Sequence, residues 1–127
     1  APILVLHGDS DDYTPLKFVT DFVELTQPYG VNIDVHIYQN AHHSFDSTEP
    51  VIWDQDAIRL DHRTVTIDKK GDLWAEAEPG LILPLNEPAE RLAAFNYAQN
   101  IGAHFGGQTE ARIHSLKLGT DFLLKVL

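Results

Sequence analysis

The chain of 127 residues contains no cysteine and no methionine. The absence of cysteine excludes disulfides, thiolate metal sites and a cysteine nucleophile within these residues. The cellular compartment therefore stays open. Because the chain begins with Ala1 and enters an apolar run almost at once, we expect it to be a piece of a longer protein.

Long apolar runs and basic residues are both scarce. The apolar runs are only a few residues long, whereas a membrane-spanning helix needs about 20. The formal net charge is −10 at pH 7, and residues 1–78 carry 15 acidic against 5 basic side chains. We therefore expect neither nucleic acid nor a membrane as partner, because phosphate-rich surfaces are bound by clustered Lys and Arg.

The first third of the chain has the pattern of a parallel strand-helix-strand unit. Residues 2–6 are continuously apolar, which is typical of a strand buried on both faces. Thr14 followed by Pro15 predicts a helix start, and residues 27–30 predict its end. Apolar and polar residues then alternate over 31–38, which predicts a second strand.

The rest of the chain predicts a hairpin and helices. Residues 64–67 and 73–75 flank the turn sequence KKGD, and residues 79–88 are predicted to be loop. One helix is predicted over 88–101 with Gly102 as its cap, and a last helix follows from Thr109. We therefore divide one α/β domain into segments 1–46, 47–87 and 88–127.

Titratable residues follow both predicted parallel strands. His7, Asp9, Asp11 and Asp12 come after the first strand, and "YQNAHHSFD" after the second offers His42, His43 and Asp46. Adjacent strands lie about 4.8 Å apart, so an aspartate and a histidine can meet there. Such a pair is the orienting acid and the base of a nucleophilic triad. Asp9 and Asp12 stay open as alternative acids, and His42 as an alternative base.

The segments "PILVLHGDSDDYTP" and "YQNAHHSFD" together resemble the carboxyl-terminal half of an α/β-hydrolase, most closely the dienelactone hydrolase family. In that family an apolar strand is followed by Gly, two residues, the acid Asp, and commonly another acid, an aromatic residue and Thr-Pro. The resemblance implies that Asp11 is the triad acid and His43 the base. It also implies an ester, lactone or thioester substrate and no cofactor.

The chain departs from the family at the nucleophile, because it contains no G-x-S-x-G or G-x-C-x-G. In the family the nucleophile precedes the acid and the histidine. We therefore expect the fold to be the carboxyl-terminal portion of an α/β-hydrolase, incomplete in this chain and inactive alone. We also expect it to pair with its own amino-terminal segment or with a second copy.

Three alternatives remain at this point. A prolyl-oligopeptidase-like peptidase is disfavoured by the long segment after His43. A metal site is not predicted, because "DSDDY" has Thr14 and Thr20 where a calcium-binding EF-hand needs Gly and Glu. A non-catalytic binding or assembly module is the third alternative, and it applies if these residues are the whole protein.

Overall fold

A computed structural model describes residues 1–59, 64–95, 97 and 102–127. The chain divides into two compact units, Ala1–Asp54 with Ala103–Leu127, and Gln55–Gly102. The elements in chain order are β1 (Ile3–Gly8), α1 (Leu16–Thr26), a 3₁₀ turn (Gln27–Tyr29), β2 (Ile33–Tyr38), β3 (Ile52–Asp54), β4 (Thr64–Ile67), β5 (Leu73–Glu78), β6 (Leu81–Pro84), α2 (Pro88–Phe95), β7 (Ala103–Phe105) and α3 (Thr109–Val126).

The first unit is built on the parallel pair β1 and β2, which confirms the predicted strand-helix-strand order. The register runs from Ile3 opposite Ile33 to Gly8 opposite Tyr38. Both strands therefore end at the same edge. The Asp9 amide donates to the Tyr38 carbonyl at 3.0 Å, so hydrogen bonding continues beyond the strands.

The start of α1 differs slightly from the prediction. Pro15 is the N-cap residue of the helix, and no side chain forms a capping hydrogen bond there. The Thr14 hydroxyl, which was predicted to cap the helix, donates instead to the Asp11 carboxylate at 2.8 Å. The carboxylate is a stronger acceptor than a neutral group, which explains why the hydroxyl is directed there.

The core of the first unit is small. It centres on Tyr38, Ala41 and Ala111, with Leu6 and Phe45 packed against them. Ala41 is fully buried under the end of β1, where a Cβ at Gly8 would lie 2.0 Å from the Ala41 carbonyl oxygen. Only glycine fits at this position, because the end of β1 lies close to the segment that follows β2.

The prediction that β1 is buried on both faces is wrong for this structure. Ile3 is 36% exposed, and Leu4 to His7 are only partly buried. The physical reason is that, among the described residues, the sheet containing β1 has two strands. α1 likewise leaves Phe18, Phe22 and Leu25 exposed. Apolar surface is therefore left open on both elements.

The final segment of the first unit contains a strand that the sequence pattern does not predict. β7 pairs antiparallel with β3, with His104 opposite Trp53. Gly106 follows with φ of +149°, and a Cβ there would lie 2.4 Å from the Val51 Cα. α3 then begins at Thr109, but its cap is Gln108, whose side chain accepts the Ala111 amide at 2.7 Å.

The second unit contains an antiparallel sheet in the order β4, β5, β6. The predicted hairpin of β4 and β5 is confirmed, but β6 corrects the loop predicted over 79–88. α2 ends at Phe95. The predicted continuation of this helix over 96 and 98–101 lies outside the described residues, whereas Tyr97 is in a turn. No helix within the described ranges has the length and apolar character to cross a bilayer.

Candidate active site

Asp11 is fixed by the turn in which it lies. Its Oδ1 accepts the backbone amides of Tyr13 at 3.0 Å and Thr14 at 2.7 Å. Its Oδ2 accepts the Thr14 hydroxyl at 2.8 Å. The side chain is only 7% exposed. Because these donors come from the next three residues, the direction of the carboxylate is set by local contacts.

His43 meets this carboxylate from the end of β2. Its Nδ1 lies 3.0 Å from Asp11 Oδ2, and the pair is part of the first unit. Tyr13 and Phe105 approach the ring edge-on, with centroids 4.8 and 5.3 Å away. A carboxylate can only accept here, so Nδ1 carries the proton in the neutral imidazole and Nε2 keeps a lone pair. That tautomer is the one a general base requires.

The backbone of the His43 loop is also held in place. The His43 carbonyl accepts the Gly106 amide at 2.9 Å, and His43 forms a parallel bridge with Phe105. Ser44 follows with φ of +60°, a left-handed conformation that turns the chain away after the histidine. The imidazole is therefore oriented by its carboxylate and by the backbone on either side.

His7 and Asp9 take other positions at the same edge. The His7 Nδ1 donates to the Gly8 carbonyl at 2.7 Å, and its Nε2 lies 3.9 Å from Asp11 Oδ2. Asp9 Oδ1 accepts the Ser10 hydroxyl at 2.9 Å and the Asn40 amide at 2.7 Å. Asp9 thus joins the two strand ends and does not orient a histidine.

An open cleft of about 570 Å³ lies beside the pair. Asp11, His43 and Ser44 line one part of it, and Leu116 and Leu123 of α3 line another. A small ligand could therefore reach the imidazole against apolar side chains. The Thr14 hydroxyl also lies near the ring, 3.3 Å from His43 Nδ1. It faces this nitrogen and not Nε2, the nitrogen that would act as the base.

One family model matches the amino-terminal part of the chain. The family model described as the dienelactone hydrolase family matches residues 1–67, which is more than half of the chain. The chain belongs to the dienelactone hydrolase family. The matched residues include both Asp11 and His43. Membership of this family indicates a hydrolase with an α/β fold. No curated protein and no solved structure matches the chain.

Asp12 has a different partner from Asp11. Its Oδ1 accepts the His104 amide and its Oδ2 lies by the His104 Nδ1, both at 2.8 Å. Desolvation alone would raise the pKa of Asp12, but these hydrogen bonds from His104 outweigh it and hold the pKa below its usual value. Asp12, which the sequence left open as an alternative to Asp11, therefore pairs with His104 and not with His43.

His42 was the alternative base, and it also points elsewhere. Its Nδ1 lies 2.9 Å from the Ser10 carbonyl, and its ring centroid is 5.1 Å from that of His104. The sequence pattern predicts no role for His104. No local signal could have found it, because the contact with Asp12 joins residues 92 positions apart.

Proposed function

We propose that this chain supplies the acid and the base of a hydrolase that cleaves ester, lactone or thioester bonds by a nucleophile-His-Asp mechanism. The observation that carries the proposal is the 3.0 Å contact between His43 Nδ1 and a buried Asp11 carboxylate. The membership of the dienelactone hydrolase family supports the same reaction class.

In this mechanism His43 Nε2 takes the proton of a Ser or Cys nucleophile as that atom attacks the carbonyl carbon. Asp11 stabilises the imidazolium that forms, and the imidazolium gives the proton to the leaving oxygen or sulfur. His43 then takes a proton from water, which attacks the acyl carbon. As the bond to the enzyme breaks, the imidazolium returns the proton to the nucleophile, and the acid is released. The steps require no cofactor.

We propose that the nucleophile and the donors to the oxyanion come from a segment outside these 127 residues. Two observations support this. The sequence has no nucleophile motif of the family type. The two-stranded sheet and α1 leave apolar residues exposed, including Ile3, Val35, Phe18 and Phe22. A covering segment would bury this surface, and sheet edges of this kind pair readily with another strand.

The occupant we propose for that surface is an amino-terminal segment of the same protein, which would complete an α/β-hydrolase fold. A second copy of the chain is the competing occupant, and an assembly module without activity is the competing function. The molecular mass in solution distinguishes the two occupants. A dimer of the 127 residues that persists in the presence of the amino-terminal segment would contradict our assignment.

The function is tested with the longer protein that carries these residues, assayed on p-nitrophenyl acetate and on a lactone. We expect His43→Gln to reduce turnover by about 10⁴-fold or more, because the nucleophile loses its base. His36→Gln is the matched control, because His36 lies within β2 and away from Asp11. Unchanged turnover in His43→Gln would contradict the proposal, as would turnover by residues 1–127 alone.

A further inference from the structure

Asp12, His42 and His104 form a second cluster of side chains, separate from the Asp11 and His43 pair. One potential ligand atom of each lies within 4.8 Å of the others, and all three residues are partly buried. An ion bound at about 2.1 Å by each ligand would separate any two of them by up to about 4.2 Å. Small side-chain rotations would therefore bring the three atoms onto one ion.

The tautomer of His42 suits this arrangement. Its Nδ1 lies 2.9 Å from the Ser10 carbonyl, and a carbonyl can only accept. Nδ1 therefore carries the ring proton, and Nε2 has the free lone pair. A backbone carbonyl is also one of the groups that commonly accept the second ring N–H of a metal-binding histidine and orient the ring.

The contact between Asp12 and His104 is compatible with metal binding too. Asp12 Oδ2 and His104 Nδ1 are 2.8 Å apart. In a tetrahedral site with bonds of about 2.1 Å, two ligand atoms lie about 3.4 Å apart, so a small side-chain rotation would separate these two atoms and the ring proton would move from Nδ1 to Nε2. The Asp12 Oδ1 would keep the bond from the His104 amide, which holds the carboxylate in place.

Access and charge also favour a cation. The side chains of His104 and Asp12 are 41% and 33% exposed, so an ion can reach them from solvent. Asp12 lies in the segment after β1, His42 lies in the segment after β2, and His104 lies in β7. Three separate strands therefore position the three ligands. Residues 1–78, which contain Asp12 and His42, have 15 acidic against 5 basic side chains.

We propose that Asp12, His42 and His104 bind one divalent transition-metal ion, for which Zn²⁺ is the best probe. Two imidazoles and one carboxylate suit zinc, whereas Mg²⁺ and Ca²⁺ prefer oxygen ligands. A fourth position stays open for water. The ion links β7 to the ends of β1 and β2, so binding stabilises the first unit. This site is independent of the proposed hydrolase reaction.

The site is tested by equilibrium binding of Zn²⁺ alone to the full chain, with metal first removed by a chelator. We expect one equivalent to bind, and at least a tenfold loss of affinity in His42→Gln and in His104→Gln. His36→Gln is the matched histidine control and should retain the affinity of the original protein. Absence of saturable binding, or equal affinity in His42→Gln, would overturn the site.

Direct evidence for the ligands comes from Cu²⁺ as a spectroscopic probe. We expect electron paramagnetic resonance to show coupling to two imidazole nitrogens, and to one in His42→Gln. His42→Gln is the safer variant, because Asp12 still accepts the backbone amide of His104, and circular dichroism checks its fold. A spectrum that is unchanged in His42→Gln would overturn the assignment of this ligand set.

Discussion

Asp11 and Asp12 are neighbours in the sequence, but different parts of the chain fix their carboxylates. Asp11 accepts hydrogen bonds from Tyr13 and Thr14 within its own turn, and it is 7% exposed. Asp12 is 33% exposed, and both of its oxygens bind His104, 92 residues away. The first carboxylate is oriented by local geometry, and the second by the way the chain folds back. Only the first can be recognised in a short stretch of sequence.

The largest expected effect comes from removing each carboxylate in turn. We expect Asp11→Ala to lower the free energy of unfolding by about 3 kcal/mol, because two amides and a hydroxyl lose a buried acceptor. Asp12→Ala should cost about 1 kcal/mol, because its contacts are partly exposed. Urea unfolding, with metal removed, measures both. Equal costs in the two variants would contradict the distinction between local and long-range fixation.

This difference explains what the sequence could predict about the site. Asp11 and His43 follow two strands whose apolar patterns are clear, and parallel pairing brings the ends of those strands together. The strand ends alone leave Asp9, Asp12 and His42 open as alternatives, since all lie within a few residues of the same edge. The family resemblance favours Asp11 and His43, and these two residues are in contact in the structure. The contact of His104 with Asp12 could not be predicted, because it depends on the pairing of two short strands, β7 and β3.

The same reasoning applies to the fold. β3 and β7 have three residues each, too few for a periodic pattern to be visible. β6 was missed because Pro79 and Pro84 indicate loop, yet proline is tolerated on a strand at the edge of a sheet. The hairpin of β4 and β5 was predictable, because its turn sequence and alternation are local.

A smaller effect tests a second long-range contact of the carboxyl-terminal segment. The Gln108 Oε1 accepts the Ala111 amide, and its Nε2 donates to the Gln39 carbonyl at 2.9 Å. We expect Gln108→Ala to lower the free energy of unfolding by about 1 kcal/mol, as the loss of a helix cap does. Gln39→Ala is the control, because it keeps its backbone carbonyl. Equal destabilisation in both variants would argue against the Gln108 contacts as the cause.

Asp68 provides the smallest effect and a second example of a carboxylate fixed by its own turn. Its Oδ1 accepts the amides of Lys70 at 2.8 Å and Asp72 at 3.0 Å, as Asp11 accepts those of Tyr13 and Thr14. Unlike Asp11, it is exposed. The backbone amides of Lys70 and Asp72 lower the pKa of Asp68 below its usual value of about 3.9.

Because the pKa is lower in the folded chain, Asp68 stabilises the turn above its unfolded pKa, and this stability is lost as the pH falls through the folded pKa. We expect the Asp68 carboxyl carbon, followed by NMR, to titrate at lower pH in the folded chain than in the same chain unfolded in urea. In Asp68→Asn the Lys70 amide resonance should lose its acid transition. A folded midpoint at or above the unfolded one would show that turn amides alone do not fix an exposed carboxylate, and that burial is what distinguishes Asp11.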